Sequence, residues 1–262
     1  MNGVRAPAAS GLFYPAEPAE LAGTVDRLLA SAPPPRLAGP VRALVVPHAG
    51  YPYSGAVAAT AFAALPGDGR ALRVTLLGPS HFVPLDGLAV TGARAWATPL
   101  GAAVVDADLR RAAVGAGASV DDLPHARDHA LEVELPFLQR RVGDELRVLP
   151  VAVGAGVDGS ASVLAALADD AVIVVSTDLS HYLDDASARA RDRRTARAVV
   201  ELDDGSIGGG DACGAHALRG LLLHARRSGW TCTLLGLRTS GDATGDRSRV
   251  VGYGAFAFTS AR

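Results

Sequence analysis

Three apolar, β-branched runs in this chain end in the same way, in a short turn that carries a histidine. Ala43 to Val46 stops at Pro47, and His48, Ala49 and Gly50 follow at once. Val74-Thr75-Leu76-Leu77 passes through Gly78-Pro79-Ser80 to His81. Val172-Ile173-Val174-Val175 runs into Ser176-Thr177-Asp178 and then His181. An apolar strand that ends in a flexible turn and a polar side chain is how an open α/β sheet presents chemistry at its carboxyl edge. A lone histidine of this kind is ordinarily structural or an exposed loop residue. Three at one sheet edge point to a site.

The stretches between these runs read mostly as helices. An apolar stripe at Leu21, Val25, Leu28 and Leu29 predicts a helix over 17–31. Ala-, Val- and Phe-rich residues predict a buried helix over 54–64, and Asp106 to Val114 a surface helix. Leu131, Leu135 and Leu138 share one face of a helix predicted over 128–141, which Pro136 should kink or break. Further helices are expected at 160–167, 185–202 and 213–227. Strands are expected at 146–153, 230–237 and 250–258, with a turn-rich loop at 239–249. Strands alternate with helices to about residue 180, which favours a three-layer α/β sandwich with a central mixed, largely parallel sheet and antiparallel additions near the end. The proline-rich connector at 32–40 is too short and too early to divide the chain, so one domain over 1–262 is expected.

Composition excludes several functions. Formal net charge is -2 over 262 residues, and no basic block stands out, so nucleic acid is not an expected partner. All 25 basic residues are Arg. Without lysine there is no Schiff-base chemistry and no P-loop. The two cysteines, Cys213 and Cys232, do not make a disulfide scaffold. No signal peptide and no apolar run of about 20 residues is visible, so a cytoplasmic protein with no membrane association is expected.

The groups able to carry chemistry cluster at the turns. Cys213 follows a glycine-rich loop and begins a predicted helix, where free N–H groups favour thiolate. It reads as a soft metal ligand, as a nucleophile, or as an inert buried thiol. Asp178 and His181, three apart in one turn, suit metal ligation or a general base held by a carboxylate, and equally a turn-capping Asp. His129 and Glu132 open a helix, either facing the crevice or placing acidic charge at its start. The loop holding Asp242 reads as a substrate lid or as a simple connection.

Seven segments together carry a resemblance. They are Gly11-Leu12-Phe13-Tyr14-Pro15, Pro47-His48-Ala49-Gly50-Tyr51 with Tyr53-Ser54-Gly55, Gly78-Pro79-Ser80-His81, His129 to Phe137, Ser176 to Tyr182, Cys213-Gly214, and Thr239 to Phe258. In order and across nearly the whole chain, they resemble the Memo-like family, protein B of the AmmeMemoRadiSam system. The resemblance implies a fold like the class III extradiol dioxygenases, which are non-haem iron enzymes. It implies metal ligands at His48, His81 and Cys213 and catalytic residues at His181 and Asp178, with Tyr51, His129 and Asp242 expected to bind substrate. Iron is the first metal expected, then copper or zinc. Radical-SAM and AMMECR-type proteins are the partners implied. One departure stands out: ring-cleaving enzymes use two histidines and a carboxylate, whereas here the third ligand is a thiolate. Fold kinship therefore does not by itself transfer the activity. The expectation is a metal-dependent oxidoreductase with dioxygenase-type chemistry on a phenolic or catechol-like substrate. The alternatives are a non-catalytic iron- or copper-binding partner protein and a metal-dependent hydrolase.

Overall fold

The central strands are apolar and buried along most of their length, as strands covered on both faces must be. The computed structural model describes residues 3–67, 69–155 and 157–260. In chain order, β1 (Val4–Arg5) is followed by α1 (Pro18–Ser31), β2 (Val41–Val46), α2 (Tyr51–Phe62) and β3 (Leu72–Pro79). Next come β4 (Leu88–Val90), β5 (Ala95–Thr98), β6 (Gly101–Val105), α3 (Ala107–Gly115), β7 (Ser119–Val120) and α4 (Leu123–Ala126). Then α5 (Leu135–Val142), β8 (Leu146–Val153), α6 (Val157–Leu167), β9 (Val172–Ser176) and β10 (His181–Leu183) follow. The order ends with α7 (Asp185–Val200), α8 (Ala215–Arg227), β11 (Thr231–Thr239), α9 (Gly241–Thr244) and β12 (Val250–Thr259).

One mixed sheet runs β1-β5-β6-β8-β3-β9-β2-β12-β10, with β11 on the other side of β12 and β4 beside β8. Strands β6, β8, β3, β9 and β2 are mutually parallel. Strand β12 is antiparallel to β2, β10 and β11, so the expected antiparallel additions are present. Passage from β2 to β3 moves one way along the sheet, and passage from β8 to β9 moves the other way. Right-handed crossovers then put the connecting helices α2 and α6 on opposite faces. Accordingly α1, α2 and α5 pack together over one face, and α3, α6, α7 and α8 over the other. This is the three-layer sandwich. The change of winding direction opens a crevice at the carboxyl ends of β2, β9 and β3. Because β12 runs antiparallel, its first residues arrive at that same edge, where Gly252 bonds with Leu179 and Ser180.

The expected helix over 128–141 is not continuous. A single 3-10 turn spans Glu132–Glu134, and α5 starts at Leu135 with Pro136 in its first turn. Proline is tolerated there because a first-turn N–H has no helical partner to lose. It begins a helix here and does not kink one. Likewise α2 begins at Tyr51 with Pro52 in its first turn, three residues before the expected start. No helix among the described residues is long and apolar enough to cross a membrane.

Candidate metal centre

His48 stands two residues beyond β2, and its main chain is pinned across the crevice: its N–H donates to Asp178 Oδ1 at 2.9 Å. Its Nδ1 lies 2.9 Å from Ser176 Oγ. That hydroxyl has one proton and two acceptors, Ala130 O at 2.7 Å and Glu134 Oε1 at 2.8 Å. Its oxygen is therefore placed to accept from His48 Nδ1–H, which leaves Nε2 as the nitrogen free to ligate a metal.

His81 is held by one carboxylate at two points. Asp128 Oδ2 accepts its N–H at 2.6 Å, and Asp128 Oδ1 sits 3.1 Å from Nδ1. The ring is again oriented by its Nδ1, freeing Nε2. The ring of His129 stacks on Phe13 at 4.1 Å and on His81 at 4.9 Å. His48, His81 and His129 each bring one ring nitrogen within 4.8 Å of the others, and the three could hold a metal ion.

The three-histidine group does not include the expected ligand Cys213, which lies beside it against His48. Cys213 lies two residues before α8, not in its first turn. Its N–H donates to Asp178 O at 3.2 Å, and Asp178 N–H donates back to Sγ at 3.3 Å. Gly214 makes this approach possible, since a Cβ there would lie 2.8 Å from Thr177 Cβ and 3.1 Å from Ser176 O. Sγ ends 3.3 Å from His48 Nε2. Two ligands held about 2.3 and about 2.1 Å from one tetrahedral ion stand about 3.6 Å apart, so this separation suits a shared ion.

Charge agrees with geometry. Burial disfavours the His48 imidazolium, but the Cys213 thiolate and Asp178 outweigh it and raise its pKa to about 10. His81 is likewise opposed by burial, yet bonding to Asp128 and Cys213 raises it to about 9. Burial would raise the Cys213 thiol, but the two histidines hold it well below its ordinary value. His129 is pushed down to about 4 by burial and by repulsion from His48 and His81. A divalent ion would displace the imidazole protons and leave neutral nitrogens beside a thiolate, a donor set for borderline and soft metals. Cys232, half-buried on β11, behaves oppositely: burial alone drives its thiol up.

These groups open onto a cleft of about 840 Å³ that Asp178 and His181 also line. His181 Nδ1–H donates to Leu179 O at 2.8 Å, which leaves Nε2 as its uncommitted nitrogen. The Asp178 carboxylate bonds to the His48 main chain, and His181 is oriented by the Leu179 carbonyl instead. Two expected substrate positions lie elsewhere. The Tyr51 hydroxyl donates to Val133 O at 2.7 Å, with its ring in the core against Phe137. Asp242 is bound by Arg189 and by Thr239 N–H. His129, the third, lines the cleft. Sequence reasoning missed Asp128, Ser176 and Glu134 as orienting groups and Phe13 as the stacking partner of His129.

The profile of the Memo-like protein family matches residues 5–257. A MEMO1 family protein of Methanothermobacter thermautotrophicus is 33% identical over 273 residues, covering 95% of this chain and 98% of its own. Another, from Methanopyrus kandleri, is 34% identical over 278 residues, covering 97% and 98%. A third, from Methanosarcina acetivorans, is 34% identical over 268 residues, covering 96% and 98%. The segments those matches span include every turn that builds the cluster, and the chain belongs to the Memo-like family.

Proposed function

We propose that the cleft holds a redox-active divalent metal, iron first, on His48, His81 and Cys213, and oxidises a phenolic or catechol-like compound in dioxygenase fashion. The observation that carries this reading is the meeting of imidazole nitrogens and the Cys213 thiolate at the floor of an open cleft. Iron supplies the one-electron chemistry that lets dioxygen react with such a ring. The chain's own residues do the rest. Asp178 ties the His48 turn to the Cys213 turn: its carboxylate accepts the His48 N–H, its own N–H donates to Cys213 Sγ, and its carbonyl accepts the Cys213 N–H. Ser176 and Asp128 fix the two ligand rings. His181 presents the ring nitrogen suited to take the phenol proton.

One observation favours a second reading, a metal-handling protein without turnover. His129 stands in the same three-histidine group as His48 and His81, and a donor added there would occupy the position that a substrate needs open, as in the closed shells of structural metal sites. Oxygen uptake by Fe(II)-loaded protein with a panel of catechols separates the two. The catalytic reading expects uptake that His181→Ala abolishes, retained in His129→Ala. If no catechol gives uptake with iron bound, and His129→Ala weakens the metal, the second reading replaces the first. Cys213→Ser should weaken metal binding in either case.

A further inference from the structure

The cleft carries one cation that neither the metal donors nor the proposed acid–base residue uses. Arg191, on α7, lines the same cleft as His48, His81 and Cys213. Its Nη1 donates to Gly210 O at 3.2 Å. Asp211 is its nearest carboxylate, 4.0 Å from Nε and so beyond hydrogen-bond reach. The other Asp211 oxygen accepts from Gly208 N–H at 2.9 Å. A guanidinium has five N–H donors in a planar fork, and the Gly210 bond uses one of them. The adjoining Gly209 and Gly210 put no side chain in the way. A Cβ at Gly210 would lie 3.6 Å from Arg191 Nη1, and one at Gly209 would meet nothing within 4 Å.

The charges of the cleft are one-sided. Among its described lining residues, Arg191 is the one guanidinium, and the one aspartate, Asp178, is committed to the His48 N–H. A divalent ion is balanced by the Cys213 thiolate and the Asp178 carboxylate, and Arg191, offset only by its 4.0 Å ion pair to Asp211, adds positive charge to the cleft. The walls include the rings of Phe13, Tyr53, Tyr182 and Tyr253, which suit a flat aromatic body. A neutral phenol would satisfy the rings and the metal but leave the guanidinium with only its long ion pair to Asp211 and its bond to Gly210 O.

Resting on the phenolic reading above, we propose that Arg191 is the specificity residue of this cleft and that the substrate is an aromatic acid, a phenol whose carboxylate Arg191 grips with paired N–H donors. The test compares 4-hydroxybenzoate with its uncharged counterpart 4-hydroxybenzamide, by calorimetric titration of the metal-loaded protein under nitrogen. Wild type should bind the acid at least tenfold more tightly than the amide. Arg191→Gln should remove that preference while metal stoichiometry and amide affinity stay unchanged. Equal binding of acid and amide by wild type, or a preference that survives Arg191→Gln, overturns the proposal and leaves the phenolic reading standing. Failure of both compounds to bind wild type removes the phenolic reading and this proposal with it.

Discussion

Ser176 shows how much of a candidate metal centre lies outside the groups that could ligate. It is fully buried at the end of β9 and touches His48 Nδ1, Ala130 O and Glu134 Oε1 at once. Burial raises the Glu134 carboxyl to about 8, with the Ser176 bond pulling the other way, so this corner beneath His48 carries little charge at neutral pH. Removing the hydroxyl in Ser176→Ala frees the His48 ring to turn and strands the Glu134 carboxyl. Outer partners of this kind change metal affinity by about 10–100-fold when lost. Ser176→Ala should therefore weaken metal binding by that factor, measured by competition with a chelator, while the folded circular dichroism spectrum persists. Unchanged affinity would show that the ring is oriented by Asp178 and packing alone. The histidines themselves were legible because each follows an apolar run directly. Ser176, Asp128 and Glu134 were not, because their roles come from contacts 42 to 128 residues away along the chain.

At the scale of elements, the arm before α1 is part of the site and not an appendage. Buried Glu132 accepts from Ala8 N–H at 2.7 Å, from Ala9 N–H at 2.8 Å, and from Arg5 and the Tyr14 hydroxyl. Arg5 in turn donates to the His125 and Asp128 carbonyls, both at 2.7 Å. The arm thus held delivers Phe13 to His129, and Phe13 O accepts the first N–H of α2. This clamp also explains why 128–134 is not the regular helix its leucine spacing suggested. The Asp128 and Glu132 side chains are drawn to His81 and to the arm, and their hydrogen bonds outweigh those of a continuous helix. Helical periodicity reports which face is apolar and is blind to such a demand. Glu132→Gln removes one member of a buried ion pair and turns an amide toward N–H donors. A loss of about 3–5 kcal/mol is expected in urea unfolding, together with faster proteolysis within residues 5–14. Wild-type stability in this variant would mean that the arm is held by its apolar contacts.

For the molecule as a whole, the alternation of strands and helices made the three-layer architecture readable, and the apolar strands showed which runs lie at its centre. The strand order was not readable, since no local pattern shows that β9 inserts between β3 and β2. The same assembly buries a second kind of histidine, with a global consequence. His125 sits between the arm and β4: its Nε2–H donates to Ala89 O at 3.1 Å, and its ring lies 5.4 Å from that of Trp96. Burial, aided by the nearby Arg5 charge, holds its pKa down at about 4; the Ala89 bond and the Asp122 and Asp128 carboxylates oppose the shift without reversing it. The unfolded chain takes up this proton near 6.5, the folded chain only near 4. Between those values the unfolded state binds more protons, so stability falls as pH falls through the window and levels off below it. His125 alone should cost about 2–3 kcal/mol between pH 7.5 and pH 4.5. His129 is depressed in the same direction, so wild type alone would mix the two contributions. Comparing wild type with His125→Gln isolates the first. The variant is expected to be less stable at pH 7.5 and to lose less on acidification, measured as urea midpoints at the two pH values. Parallel losses in both proteins would show that His125 takes up its proton without cost in the folded state, and that the acid sensitivity lies with other groups, the depressed His129 among them and not the raised His48 and His81.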